Sequence, residues 1–90
     1  MPAFSLERRD NVDRIFDKLR KKNPKQMEII YKKLEQILEN PYRFKPLRSD
    51  MHGTREVHID KHFVLVYSID KERSVVIIEN YDNHDAIFER

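Results

Sequence analysis

The sequence predicts a small α+β sandwich: an N-terminal strand, an antiparallel helical hairpin, then a three-stranded antiparallel meander packed on it. Three observations predict this. Apolar residues recur with helical spacing through residues 10–40, the pattern changes to β-branched runs after the only glycine, Gly53, and almost nothing separates the two helical segments. Ninety residues supply one modest core, so a single domain over residues 1–90 is expected.

Taken in order, "PAFSLERR" alternates Phe4 and Leu6 with smaller or polar neighbours and predicts a short first strand. Pattern alone leaves open whether it lies at an edge or pairs with a later strand. "DNVDRIFDKLRKK" places Val12, Ile15, Phe16 and Leu19 on one helical face, with Asp10 or Asn11 as N-cap. Lys18, Arg20, Lys21 and Lys22 crowd its last turn, where the helix dipole favours cations. "NPKQMEIIYKKLEQILENP" predicts the second helix, capped by Asn23, opened by Pro24 and stopped near Asn40 before Pro41. Its apolar stripe is Met27, Ile30, Tyr31, Leu34, Ile37 and Leu38. After a polar connector, "REVHID", "FVLVYSI" and "SVVIIEN" read as strands joined by the turns "DKH" and "DKER". The tail "YDNHDAIFER" either ends the last strand or folds as a short turn.

Composition removes several function classes. Without cysteine there is no disulfide framework, thiol nucleophile or cysteine-based zinc site. No window approaches the roughly 18 apolar residues of a membrane span, and "MPAFSLERR" lacks the apolar core of a signal peptide, so a cytoplasmic protein is expected. Charge is segregated. Residues 14–48 carry eleven Lys/Arg against four Asp/Glu, whereas residues 49–90 carry five against nine. A basic helical layer of this kind faces polyanions or is simply a solvated lysine-rich surface.

The chemistry-bearing residues are histidines: His58 in the first strand of the meander, His62 at its turn, His84 in the tail and His52 in the connector. Imidazole gives and takes protons near neutral pH. His58 and His62 have i, i+4 spacing, which gathers zinc ligands on a helix, but this segment reads as strand and turn. Three readings stay open on the residues alone: ordinary surface histidines, a zinc site, and metal-free RNA cleavage. For cleavage, one group takes the 2′-OH proton and another protonates the leaving 5′-oxygen, while cations such as Arg55, Lys45 and Arg48 stabilise the charged phosphorus centre.

The order of elements, with "KPLRSDMHGTREVHIDKHFVLVYSI" followed by "NHDAIF", resembles the RelE/ParE superfamily of toxin–antitoxin toxins, most closely its YafQ-like branch. That branch carries a "PLxGxxxxxRxxHxxxDWxLIY" type of run and an "HxxLF"-like tail. Pro46, Leu47, Arg55, His58, Leu65, Tyr67, His84 and Phe88 fall at the matching places without a gap from Pro46 to Tyr67. The resemblance implies a metal-free, cofactor-independent endoribonuclease that cuts messenger RNA in the ribosomal A site and is blocked by a cognate antitoxin, the free toxin being a monomer. It implies His84 as general acid and Lys45 or His58 as base, with Arg55 on the scissile phosphate, Phe88 at the site, and Phe63, where the branch has tryptophan, stacking on a base or packing. Lys45 replaces a branch histidine and His62 a branch aspartate, so the proton-transfer roles are redistributed or the activity is weakened. Lys21, Lys22 and Lys25, with their basic neighbours, would then contact ribosomal RNA. Two other readings are a binding-only toxin, as in gyrase inhibitors of the same superfamily, and a degenerate toxin that acts through its antitoxin complex.

Overall fold

A computed structural model of the chain describes residues 4–46 and 53–88. In chain order the elements are β1 (Ser5–Arg8), α1 (Asp10–Lys22), α2 (Pro24–Glu39), β2 (Thr54–Ile59), β3 (Phe63–Asp70), β4 (Val75–Asn83) and α3 (His84–Phe88). The strands form one sheet in the order β1-β4-β3-β2. β2, β3 and β4 are the expected antiparallel meander, and β1 settles the open question by pairing parallel with β4 at an edge.

The helical hairpin covers one face of the sheet. Val12 and Phe16 of α1 and Met27, Ile30, Leu34 and Ile37 of α2 bury against Val57, Ile59, Leu65, Tyr67, Val76, Ile78 and Tyr81. Two periodicities meet here, about 3.6 in the helices and 2 in the strands, and each sends its apolar set to the shared layer. Asn23 caps α2 as expected, its Oδ1 accepting from the Gln26 N–H at 3.2 Å. The α1 cap differs from expectation. Arg9 occupies the cap position without a side-chain cap hydrogen bond, and Asp10 lies inside the helix, where Asp10 and Asp13 complement the dipole of the first turn.

Strand β4 contains a bulge. Val66 pairs with Asn80 and Tyr67 with Ile78, which leaves Glu79 as the extra residue. Its carboxylate accepts from the Ser68 hydroxyl at 2.6 Å and from the Arg9 guanidinium at 2.9 and 3.2 Å, tying β3 and the start of α1 together. Burial disfavours the charge, but the hydrogen bonds from Arg9 and Ser68 and the Arg9 charge outweigh it, so the Glu79 pKa is lowered. A lowered native pKa gives stability that is present above the ordinary carboxylate value and is lost as pH falls through the native value. The thermal stability of the wild type should therefore fall on acidification below about pH 5 more than that of Glu79→Gln. Parallel pH profiles for the two proteins would remove this role from Glu79.

On the opposite sheet face α3 docks through Ile87 onto Val64 and Val66. Tyr81 to Asn83 extend β4, one of the two outcomes expected for the tail, and His84 to Phe88 form a short helix where only a turn was expected.

Candidate active site

The site lies at the end of the sheet where β2 stops, β3 starts and α3 begins. In β2, Val57 and Ile59 face the helices and His58, between them, faces the other way. The turn that follows holds Asp60 at φ 58°, a left-handed conformation that aspartate tolerates better than most residues, and carries Lys61 and His62. The His62 carbonyl accepts from the His84 backbone N–H at 2.7 Å, and Asn83 Oδ1 accepts from the Ala86 N–H at 2.8 Å. These bonds, with Ile87 packed on Val64 and Val66, place the start of α3 over β2.

The result is a stack of two imidazoles. The His58 and His84 rings lie with centroids 5.8 Å apart and planes 25° apart. They open on a concavity of roughly 480 Å³ lined by His58, Lys61, His62, Asn83, His84 and Asp85. Each imidazole has a carboxylate beside it: Glu56 Oε1 is 3.8 Å from His58 Nε2, and Asp85 Oδ1 is 3.8 Å from His84 Nδ1. The two carboxylates differ in setting, since the Glu56 side chain is 12% exposed and that of Asp85 is 80% exposed. Such a cleft can bind a phosphate through Lys61 and offer it two proton-transfer groups at once.

The three histidines expected at the site are therefore together, and Lys45 is near them in register. Pro46 bridges Arg55, and the Lys45 carbonyl accepts from the Glu56 N–H at 3.0 Å. This antiparallel register puts Lys45 opposite Glu56, on the His58 face of the sheet.

Two expected members belong elsewhere. Arg55 and His58 are three residues apart on a strand and so point to opposite faces. The Arg55 guanidinium donates to the carbonyls of Phe44 at 2.6 Å and Tyr42 at 3.3 Å and lies 5.5 Å from the Tyr42 ring centroid. It anchors the connector and does not face the histidine concavity; among the described residues, Lys61 lines that concavity. Phe63 also lies on the helix side, stacked on Tyr81 at 5.5 Å with planes 4° apart, and so it packs. Arg48 and the side chain of Phe88 lie outside the described residues.

Lys21, Lys22 and Lys25 are exposed around the α1–α2 link. A groove lined by Ile15, Leu19, Gln26, Phe63, Tyr81 and Asp82 places this link at the same end of the sheet as the histidines, on the other face. Sequence reasoning missed Glu56, Lys61, Asn83 and Asp85. Glu56 had a signal, because residues i and i+2 of a strand share a face. The other three had none beyond adjacency to a histidine.

Among the described residues no helix is long and apolar enough to cross a membrane. Over residues 4–79 the chain matches the family of ParE toxins of the parDE type II toxin–antitoxin system. It is 53% identical to a Methanosarcina mazei protein over 94% of this chain and 99% of that one. It is 38% identical to RelE4 of Methanocaldococcus jannaschii, assigned as a toxin, over 97% of this chain and 93% of that one. Among solved structures, the fold is shared with the YoeB/ParE toxin of Agrobacterium tumefaciens, at TM-score 0.81 and 15% identity over 90% of this chain and 99% of that one. It is shared likewise with the isolated Escherichia coli RelE toxin, at TM-score 0.78 and 24% identity over 90% and 84% of the two chains. For E. coli YafQ the TM-score is 0.61 at 21% identity, over 94% and 98%. A family match across most of the chain, a relative bearing the RelE name and the common fold converge: the chain belongs to the RelE/ParE superfamily and is a toxin of a type II toxin–antitoxin system.

Proposed function

We propose that this toxin is a ribosome-dependent endoribonuclease that cuts messenger RNA, without a metal, and so halts translation. The observation that carries this reading is the stacking of His58 on His84 over a concavity that also holds Lys61 and His62. In the reaction a base removes the 2′-OH proton as that oxygen attacks the neighbouring phosphorus, and the P–O5′ bond breaks as an acid protonates the leaving oxygen. The products are a 2′,3′-cyclic phosphate and a 5′-hydroxyl. His84 serves as the acid, His58 or Lys45 as the base, and the Lys61 ammonium offsets the charge that builds on the non-bridging oxygens.

The basic tip of the hairpin supplies the contact to ribosomal RNA. Replacing Lys21, Lys22 and Lys25 together by glutamine should weaken ribosome binding and lower the slope of log K against log salt by roughly 2 to 3. Binding unchanged in strength and slope would remove these lysines from the interface.

A cognate antitoxin is the proposed protein partner of a monomeric free toxin in the cytoplasm, where messenger and ribosomes are found. It is supported by two relatives solved as complexes, RelBE2 of Mycobacterium tuberculosis and E. coli RelE with a RelB peptide. The ParE family match favours a second reading, inhibition of DNA gyrase by binding alone. Two assays on the purified chain separate them. Cutting of a defined message on ribosomes, with a 5′-hydroxyl on the downstream fragment, supports the nuclease; intact message together with loss of gyrase supercoiling supports the binding inhibitor.

A further inference from the structure

We propose that Glu56 is a positioning residue for His58: it holds the imidazole by Nε2 and so makes Nδ1 the nitrogen that takes the 2′-OH proton. The proposal rests on the nuclease reading for the reaction, and on geometry alone for the ring. It also decides between the two candidate bases, giving that role to His58 and leaving Lys45 as a neighbouring cation.

The argument begins with where Glu56 sits. It shares the His58 face of β2, its partner across the sheet is Val66, which is 2% exposed, and on the other side its N–H is tied to the Lys45 carbonyl. Its carboxylate is thereby held out of water beside an apolar neighbour. Oε1 lies 3.8 Å from His58 Nε2, close enough that a small rotation of either side chain makes a hydrogen bond. Oε2 is buried and has no hydrogen-bond partner among the described residues. A buried carboxylate oxygen left without a partner costs stability, and such a group is more readily explained by what it does to a neighbour than by what it does for the fold.

The ring is thus bracketed, with Glu56 at one nitrogen and the His84 ring against its face. In a neutral imidazole one nitrogen carries the proton and the other accepts, and the hydrogen bond made by one determines which. Nε2–H directed at Glu56 leaves Nδ1 with its lone pair. In the reaction the O2′–H bond breaks and an Nδ1–H bond forms, and the resulting imidazolium keeps its positive charge next to the Glu56 carboxylate.

The test uses the full chain with nitrogen-15-labelled histidine, and three proteins: wild type, Glu56→Ala and the isosteric Glu56→Gln. Imidazole nitrogen spectra should show the neutral His58 ring of the wild type only as its Nε2–H form, and in Glu56→Ala as a mixture of both forms. In the ribosome assay kcat should fall about 10- to 100-fold in both variants with KM within about twofold, part of the loss that deleting the imidazole itself would cause. Thermal stability of Glu56→Gln should be equal to or above that of the wild type, which keeps the kinetic test usable if the alanine variant folds poorly. His58 spectra that are the same in wild type and Glu56→Ala, or unchanged kcat in the glutamine variant, overturn the proposal. If no protein cuts message, the spectra still decide the role of Glu56 toward the ring, while the nuclease reading falls on its own.

Discussion

Replacing His84 or His58 by alanine should slow cleavage of a ribosome-bound message by about 10²- to 10⁴-fold, the usual contribution of a positioned acid or base. Neither change should disturb the fold. The bond that pins α3 to the β2–β3 turn runs from the His84 backbone N–H to the His62 carbonyl, which alanine keeps, and α3 is anchored by Ile87. The His58 side chain is 55% exposed, so its removal opens no cavity. Loss of cutting with unchanged ribosome affinity would therefore report on chemistry. Because the two rings are stacked and serve one phosphate, the double variant should be little slower than either single one. Additive losses would indicate that the rings act in separate steps. A wild type that binds ribosomes and leaves the message intact would show that Lys45 and His62, in place of the branch residues, have abolished cutting, and the binding-only readings would take over.

The second large effect is on stability. Phe16→Ala should destabilise the chain by about 3–5 kcal/mol, measured by denaturant unfolding. Phe16 is fully buried between α1 and the sheet and meets the Tyr81 ring edge to face at 5.9 Å. Truncation removes the transfer free energy of the ring and leaves a void that the surrounding α1, α2 and sheet residues cannot fill without shifting. In a small domain whose total stability is on the order of 5–15 kcal/mol, such a loss is a large share. The consequence reaches the site through Tyr81, which also stacks on Phe63 beside the β2–β3 turn. A loss below about 1 kcal/mol would mean that this layer is packed loosely enough to close over the gap.

The departures from expectation have identifiable physical origins. The chemistry of Arg55 and its place in a motif point to the phosphate, although the period of two in a strand already separates it from His58. Phe63 was separable in the same way, since it shares parity with Leu65 and Tyr67 on the helix side. The cap of α1 falls on Arg9, not on Asp10 or Asn11, for a different reason. The Arg9 N–H pairs with the Ile78 carbonyl and its guanidinium with Glu79, so contacts from β4 start the helix one residue earlier than the local pattern indicates.

Local pattern alone determined the two helices, the three meander strands, the basic hairpin and the concentration of histidines in the second half of the chain, because periodicity and turn residues act over a few positions. The site itself was decided by tertiary structure. In β4, a regular strand with Val76 and Ile78 toward the helices would also send Asn80 and Asp82 there; the bulge at Glu79 shifts the register and buries Tyr81 in their place. That shifted strand delivers Asn83 and His84 to the β2–β3 turn, and Ile87 seats α3 on Val64 and Val66, so His84 lands on His58. No local rule encodes the meeting of two imidazoles from distant segments. It depends on strand register and on one small helix finding an apolar seat, and both are properties of the packed chain.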